Sequence, residues 1–594
     1  MFALPRSSWD DYDRSLISAG GGVWPRTAKS VPVGPQMRAA LGIAEGVPPG
    51  RDEPAVVTAL SPPELIAAIL RAPADLLWNG GIGTYVKATD EPHEAAGDKA
   101  NDGVRADGRE LRVKVIGEGG NLGLTQKGRI EFARAGGKIN TDAIDNSAGV
   151  DCSDHEVNIK ILLDRLVASG DLTRADRDAV LVEMTEEVSR LVLADNTDQN
   201  AVLGIARAQA GGMLSVHARL TGDLEARAGL VRKLEVLPDE AGYAELEAAG
   251  AGLSSPELST LLAHTKLDLT ASVLGTDLPD TSAFADRLPE YFPHPIRERF
   301  PAAITGHPLR REIVTTLLVN EMVDGAGITY AFRLGDELAA TPADAVRAYA
   351  VTTAVYDLPA LWATVREPHI PTAVSDTVVL ETRRLLDRAS RWFLTNRPQP
   401  LAVGATIARF AGSVRELQGL VPELLRGKER EFVAEATAAL AGTGLSAELA
   451  RRCGSLMFSY GLLDVVELVE LAEHDREPRE PREVAALYYA MSEHLGVDLA
   501  LTSVSALERG DRWHALARLA LRDDLYGSLR AITLDAMRES GPGSSIEDTI
   551  GAWERANASR LVRARSALHE IGSAGQLDLA TLSVVSRQLR GLAR

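Results

Sequence analysis

Over the first 55 residues the apolar positions follow no regular period. Glycine and proline punctuate them instead (Gly20, Gly21, Gly22, Pro25, Pro32, Pro35, Pro48, Pro49), so this stretch is expected to connect rather than to pack. The pattern changes at Pro62. Ser61 can cap a helix whose apolar face is Leu65, Ile66, Ile69 and Leu70, with an end near Pro73. Three short strand-like runs follow, each ending in small or turn-forming residues: DLLW at 75–78 before NGGIG, LRVKVI at 111–116 before GEGGNLG, and KIN at 138–140 before TDAIDNSAG. The spacing leaves room for a helix at 126–136, which predicts βαβ units of a parallel sheet. Ligands of such sheets bind at the carboxyl ends of the strands, and the Gly and Asn residues sit at those ends here.

After about residue 154 strand signals almost vanish and helical periodicity takes over. The stretch 173–192 has Thr173 as cap, Asp176 near the third position, and Val180, Met184, Val188, Leu191 and Val192 on one face. SSPELSTLLAHTKL at 254–267 opens with Ser, Pro256 and Glu257, and HPLRREIVTTLLVNEMV at 307–323 opens with Pro308. Gly442 and Gly444 can end one helix and Ser446 can cap the next. Breaks are expected at 234–255 and 274–308, and no repeat of fixed period is visible. The fold class expected is α/β plus all-α: an incomplete Rossmann-like parallel sheet followed by a large helical C-terminal region. Three parts follow from it: residues 1–152 as the C-terminal portion of a dinucleotide-type domain, 153–234 as helices closing that domain, and 235–594 as an all-α domain.

Composition narrows the function classes. With 64 Lys and Arg against 83 Asp and Glu, the formal charge is −19, which repels phosphate backbones and makes nucleic acid an unsuitable partner. The two cysteines, Cys152 and Cys453, form neither a disulfide framework nor a CxxC pair, in keeping with a reducing cytoplasm. No run approaches the roughly 18 apolar residues of a membrane helix. The opening MFALPRSSWDDYDRS lacks the basic flank and apolar core of an export signal.

Four patches could carry chemistry. In WNGGIGTYVK at 78–87, Asn79 and Gly80 follow a strand, where backbone and a small amide can approach a ligand; an ordinary tight turn is the alternative. GEGGNLG at 117–123 precedes a helix but fails the GxGxxG dinucleotide pattern, because Leu122 stands where the third glycine belongs. In TDAIDNSAGVDCSDHEVN at 141–158, Asn146 and Ser153 could present amide and hydroxyl, with a helix cap at Ser153 or Asp154 as the plain alternative. Asp151, Cys152, Asp154, His155 and Glu156 also invite a metal, but one Cys-x-x-His without a second ligand pair is a poor zinc set, so no metal is expected. DNTDQN at 195–200 is expected to cap or link helices, with polar groups facing a shared cleft as the alternative. The pairs Trp392–Phe393 and Tyr488–Tyr489 are expected in the core, since nothing basic surrounds them as in a nucleic-acid groove.

DLLWNGGIGTYVKA, followed by LRVKVIGEGGNLGLTQKGRIEFARAGGKINTDAIDNSAGVDCSDHEVNIKILL, closely resembles the large NAD-specific glutamate dehydrogenases of bacteria. The likeness extends through PRSSWDDYDRSLIS at 5–18, LSSPEL at 253–258, and YFPHPIRERF with HPLRREI at 291–313. The resemblance implies oxidative deamination of L-glutamate to 2-oxoglutarate and ammonium, with NAD as hydride acceptor, in a cytoplasmic homo-oligomer. The smaller glutamate dehydrogenases are similar more distantly: their GANGPTT is like GGNLGLT at 119–125 and their NAGGVTVS is like NSAGVDCS at 146–153. By that likeness Asn79, Gly80, Gly119, Asn121 and Asn146 are implied at the nicotinamide and its ribose. Val150 and Ser153 are implied at the glutamate, with Ser153 on its side-chain carboxylate. No catalytic residue is assigned within the chain, because the family's catalytic lysine and aspartate, and its pyrophosphate glycines, are expected upstream of Met1. The chain alone is therefore expected to be inactive. A non-enzymatic helical protein for oligomerisation or regulation, derived from that enzyme, is the competing expectation.

Overall fold

The computed structural model describes residues 7–25, 27–43, 56–475, 477–507, 512–562 and 578–593; the Pro48–Pro49 part of the expected connection lies outside them. Two compact units are present, one of Met1–Asp268 with Leu288–Arg310, the other of Leu269–Arg287 with Arg311–Arg594. Residues 235–268 thus group with the strand-bearing unit.

In the first unit, a short antiparallel pair, β1 (Val31–Pro32) with β2 (Ala59–Leu60), flanks α1 (Pro35–Leu41). α2 (Pro62–Leu70) forms where its pattern placed it: the Ser61 main-chain N–H donates to Glu64 at 2.8 Å, and Pro62 occupies the first position. Its apolar stripe is only half covered, since Leu70 packs on the core while Ile66 and Ile69 stay largely exposed.

Parallel pairings follow, including an isolated bridge of Val86 to Leu124. β3 (Leu76–Asn79) lies alongside β6 (Val115–Glu118) in the register Leu76–Val115 to Asn79–Glu118, and Val115 bridges in parallel to Lys138. β4 (Val86–Lys87) pairs with β5 (Ala106–Asp107). α3 (Gln126–Arg134), capped by the Thr125 hydroxyl, crosses between β6 and residue 138 and completes the expected βαβ unit. Ile116, Leu124, Phe132 and Ile139 form its core with Val86 and Ala106. The second strand starts later than LRVKVI suggests. Arg112 turns outward, its guanidinium donating to the carbonyls of Arg71 and Leu41, so pairing begins only at Val115 and runs on through Gly117 and Glu118.

Helices then take over: α4 (Asp142–Asp145), α5 (Ser147–Ser169), α6 (Arg174–Glu183), α7 (Thr185–Ala208), α8 (Leu214–Ala228), α9 (Arg232–Glu235), α10 (Glu240–Ala248) and α11 (Ser255–Leu274). Thr173 caps α6 as expected, accepting from the Asp176 N–H, but the single helix of 173–192 breaks at Met184, whose N–H closes α6 and which precedes α7. DNTDQN is not a linker. It lies within α7, where Asn196 and Asn200, one turn apart, bond to the Ile144 carbonyl and to Asn140.

The second unit is helical throughout its described residues. Trp392 and Phe393, on the helix Thr372–Asn396, pack edge-to-face on Phe410 at 5.6 and 5.3 Å, and Tyr488 meets Tyr489 at 5.5 Å; all five rings are buried. These pairs are core, as the pattern indicated. Asp464, also buried, accepts from Trp392 Nε1 at 2.9 Å, the Tyr488 hydroxyl at 3.0 Å and Arg530 at 3.1 Å.

Candidate functional site

The carboxyl ends of β3 and β6 converge on the start of α5. Asn79 ends β3 opposite Glu118, and Gly80 and Gly119 continue from the two strands. The Trp78 indole lies over the β6 end so closely that a Cβ on Gly119 would sit 2.5 Å from its ring. Gly119 therefore lets an aromatic side chain of its own unit approach, on the face where a phosphate turn would keep open space. Leu122 has φ +57°, the left-handed conformation that glycine adopts freely. A leucine there carries a steric cost that a glycine would not.

Asn121 and Asn146 meet here: Asn146 Nδ2 donates to Asn121 Oδ1 at 2.8 Å on an exposed edge. That bond leaves Asn121 Nδ2 to donate and Asn146 Oδ1 to accept. Asn146 is the residue before α5, and Val150 and Ser153 follow it at i+4 and i+7 on the same face of the helix. Both are exposed, Val150 at 74%, and the Ser153 hydroxyl donates only to the Gly149 carbonyl one turn back at 3.3 Å. Ser153 and Asp154 are thus interior to α5, which removes the helix-cap explanation. Asn79 is turned inward; its Nδ2 is buried without a hydrogen-bond partner, against Gly123.

Beneath this edge is a set of buried charges that pattern reading missed. Arg129 of α3 donates to Glu118 through Nε at 2.7 Å and Nη2 at 2.9 Å, and Nη2 is 3.1 Å from Asp142. Burial pushes the Glu118 carboxyl above its ordinary range against the pull of Arg129. For Arg129 itself burial opposes the charge, yet Glu118 and Asp142 raise its pKa further still. Asp145 accepts from the Glu118 N–H at 3.2 Å and from Asn140 at 3.0 Å. A cleft of about 430 Å³ runs along this side, between Leu76, Trp78 and Val115 of the strands and Asn196, Asn200 and Arg207 of α7.

The opposite face of α5 carries the residues that had suggested a metal. Asp151, His155 and Asp195 each bring a donor atom within 4.8 Å of the others; Cys152 is exposed and outside the group. Burial, reinforced by the like charges of Asp195 and Asp154, pushes Asp151 up to about 7; burial also raises Asp195, and the Lys266 ammonium only partly offsets the two shifts. His155 is buried, its basicity lowered by that burial, and stacks on Tyr291 at 4.2 Å; Tyr291 also bonds to Asn158 and Asp154.

The family model described as bacterial NAD-glutamate dehydrogenase, catalytic domain, matches residues 1–206, and the one described as glutamate dehydrogenase, C-terminal, matches residues 250–591. All of this chain aligns with proteins named NAD-specific glutamate dehydrogenase: 53% identical to that of Mycobacterium tuberculosis, 41% to that of Pseudomonas aeruginosa and 38% to that of Halomonas elongata. In each case the chain spans 36% of the relative's length. With family models matched on the strand-bearing and the helical regions alike, the chain belongs to the bacterial NAD-specific glutamate dehydrogenase family.

Proposed function

We propose that this chain forms the nicotinamide- and glutamate-facing wall of an NAD-dependent glutamate dehydrogenase, which converts L-glutamate to 2-oxoglutarate and ammonium. The observation that carries this reading is the Asn121–Asn146 amide pair, which joins the turn after β6 to the start of α5. Its remaining donor and acceptor complement a primary carboxamide, which has one carbonyl and one NH2 to satisfy. The residues present fit the cofactor's nicotinamide end. NAD supplies the hydride-accepting ring when bound.

The rest of the wall follows from chemistry. Asn121 and Asn146 orient the carboxamide and ribose, with Asn79, Gly80 and Gly119 forming the floor at the strand ends. Val150 offers an apolar contact to the glutamate side chain, and Ser153 a hydroxyl to its distal carboxylate. None of these seven side chains can form an imine or activate water at neutral pH, so they bind and orient rather than transfer protons. The parallel strands are read as part of a Rossmann-like sheet, and the assembly as a cytoplasmic homo-oligomer. The Asp151–Asp195 pair is read as carboxyls compensated by Lys266 rather than as a metal site.

Saturation-transfer NMR on the purified chain with NAD+ tests the reading. Stronger saturation of the nicotinamide protons than of the adenine protons, lost in Asn146→Ala, is expected. Equal or adenine-dominated saturation would overturn it.

A further inference from the structure

Resting on that reading, we infer that Arg129 is a positioning residue for the nicotinamide wall: through Glu118 and Asp142 it fixes the backbone that aims Asn121 and Asn146. Each carboxylate has a second contact beyond Arg129. Glu118 Oε1 also accepts the Leu124 N–H at 3.2 Å, and Asp142 Oδ2 accepts the Leu122 N–H at 2.8 Å. One guanidinium therefore anchors the N–H groups on both sides of Gly123.

Leu122 pays for its left-handed φ in steric strain; its N–H is held by Asp142 at 2.8 Å and its carbonyl by the Thr84 hydroxyl at 2.7 Å, so Asp142 fixes the side of the peptide that follows Asn121. Asn121 precedes it directly. On the other side, the Asp142 main-chain carbonyl accepts the Asn146 N–H at 2.7 Å. Asp142 thus bonds to Asn146 through its backbone and to the residue after Asn121 through its side chain. Arg129 in turn holds Asp142 and Glu118 in a fork that an ammonium cannot reproduce. The Arg129 side chain is 5% exposed and Glu118 is wholly buried, so water does not replace these contacts.

The test uses the whole chain, as wild type, Arg129→Lys and Arg129→Gln. Asp142→Ala is a further variant that removes the Leu122 acceptor from a less buried position, should the arginine variants not fold. Two quantities are read: amide hydrogen exchange over 117–125, and the ratio of nicotinamide to adenine saturation from bound NAD+. Expected are exchange about tenfold faster, confined to 117–125 and the start of α5, and a ratio reduced about threefold. A purely structural salt bridge would speed exchange across the unit and leave the ratio of the folded fraction unchanged. Folded variants with wild-type exchange at 122–124, or with a wild-type ratio, overturn the positioning role alone. A wild-type chain with no nicotinamide saturation overturns the cofactor reading and the positioning role together.

Discussion

Both units bury acidic side chains against arginine, but the bonds lead to different places. In the helical unit, Asp464 accepts only from side chains, Trp392, Tyr488 and Arg530, so its network closes on itself and ties helices together. In the strand-bearing unit, Glu118 and Asp142 each hold Arg129 and also accept a backbone N–H beside Gly123, that of buried Leu124 for Glu118 and of exposed Leu122 for Asp142. The first arrangement stabilises a core. The second transmits the rigidity of a core to a surface edge, as a binding wall requires.

The comparison is broken most directly at Asp464. Asp464→Ala leaves the buried Trp392 N–H and Tyr488 hydroxyl without their acceptor, while Arg530 keeps Glu467 and Asn396. It should cost about 2–5 kcal/mol in denaturant unfolding, from the two orphaned donors, while nicotinamide saturation in the folded protein stays unchanged. A parallel loss of saturation would mean that the two networks are not separate in effect.

A second test uses pH. In the helical unit, burial and then Asp498 push Glu429 up to about 8, from an ordinary glutamate value. Folding therefore takes up a proton between the unfolded pKa of roughly 4.3 and the folded value. The stability due to this group is full below that window, falls as pH rises through it, and levels off above about 8. Glu429→Gln should flatten this slope in denaturant titrations at pH 5 to 9.

At the wall itself effects are smaller and show in binding rather than stability. Ser153→Ala should weaken glutamate about tenfold, or about 1.4 kcal/mol, in competition titrations with the holoenzyme, with no change in unfolding midpoint because Ser153 is exposed. The smallest change expected is Thr173→Ala, which removes the α6 cap and should cost about 1 kcal/mol.

Strand ends and helix caps were legible because their signals are local. DLLW before NGG, Thr173 three residues before Asp176, and Ser254 before Glu257 each state their structure within one turn of chain. The errors came where a distant partner decides. Val115–Glu118 includes a glycine and a buried glutamate, unlikely strand residues until Arg129 is seen eleven positions on. DNTDQN looks like a linker until Asn140 and the Ile144 carbonyl occupy its amides. At the site, Asn121, Asn146, Val150 and Ser153 stood out through family likeness and do lie along one edge. Arg129 and Asp142, which hold that edge, carried no motif at all.

Trp78 gives this region an optical property of its own. Of the seven tryptophans, Trp362, Trp392 and Trp553 are buried in the helical unit, whereas Trp78, 62% exposed and solvated as Trp9 and Trp513 are, lies over Gly119 beside the amide pair. Its emission is therefore that of a solvated indole next to the proposed nicotinamide position. Reduced nicotinamide absorbs where indole emits, so occupancy of the wall becomes visible as energy transfer from Trp78 without any added label.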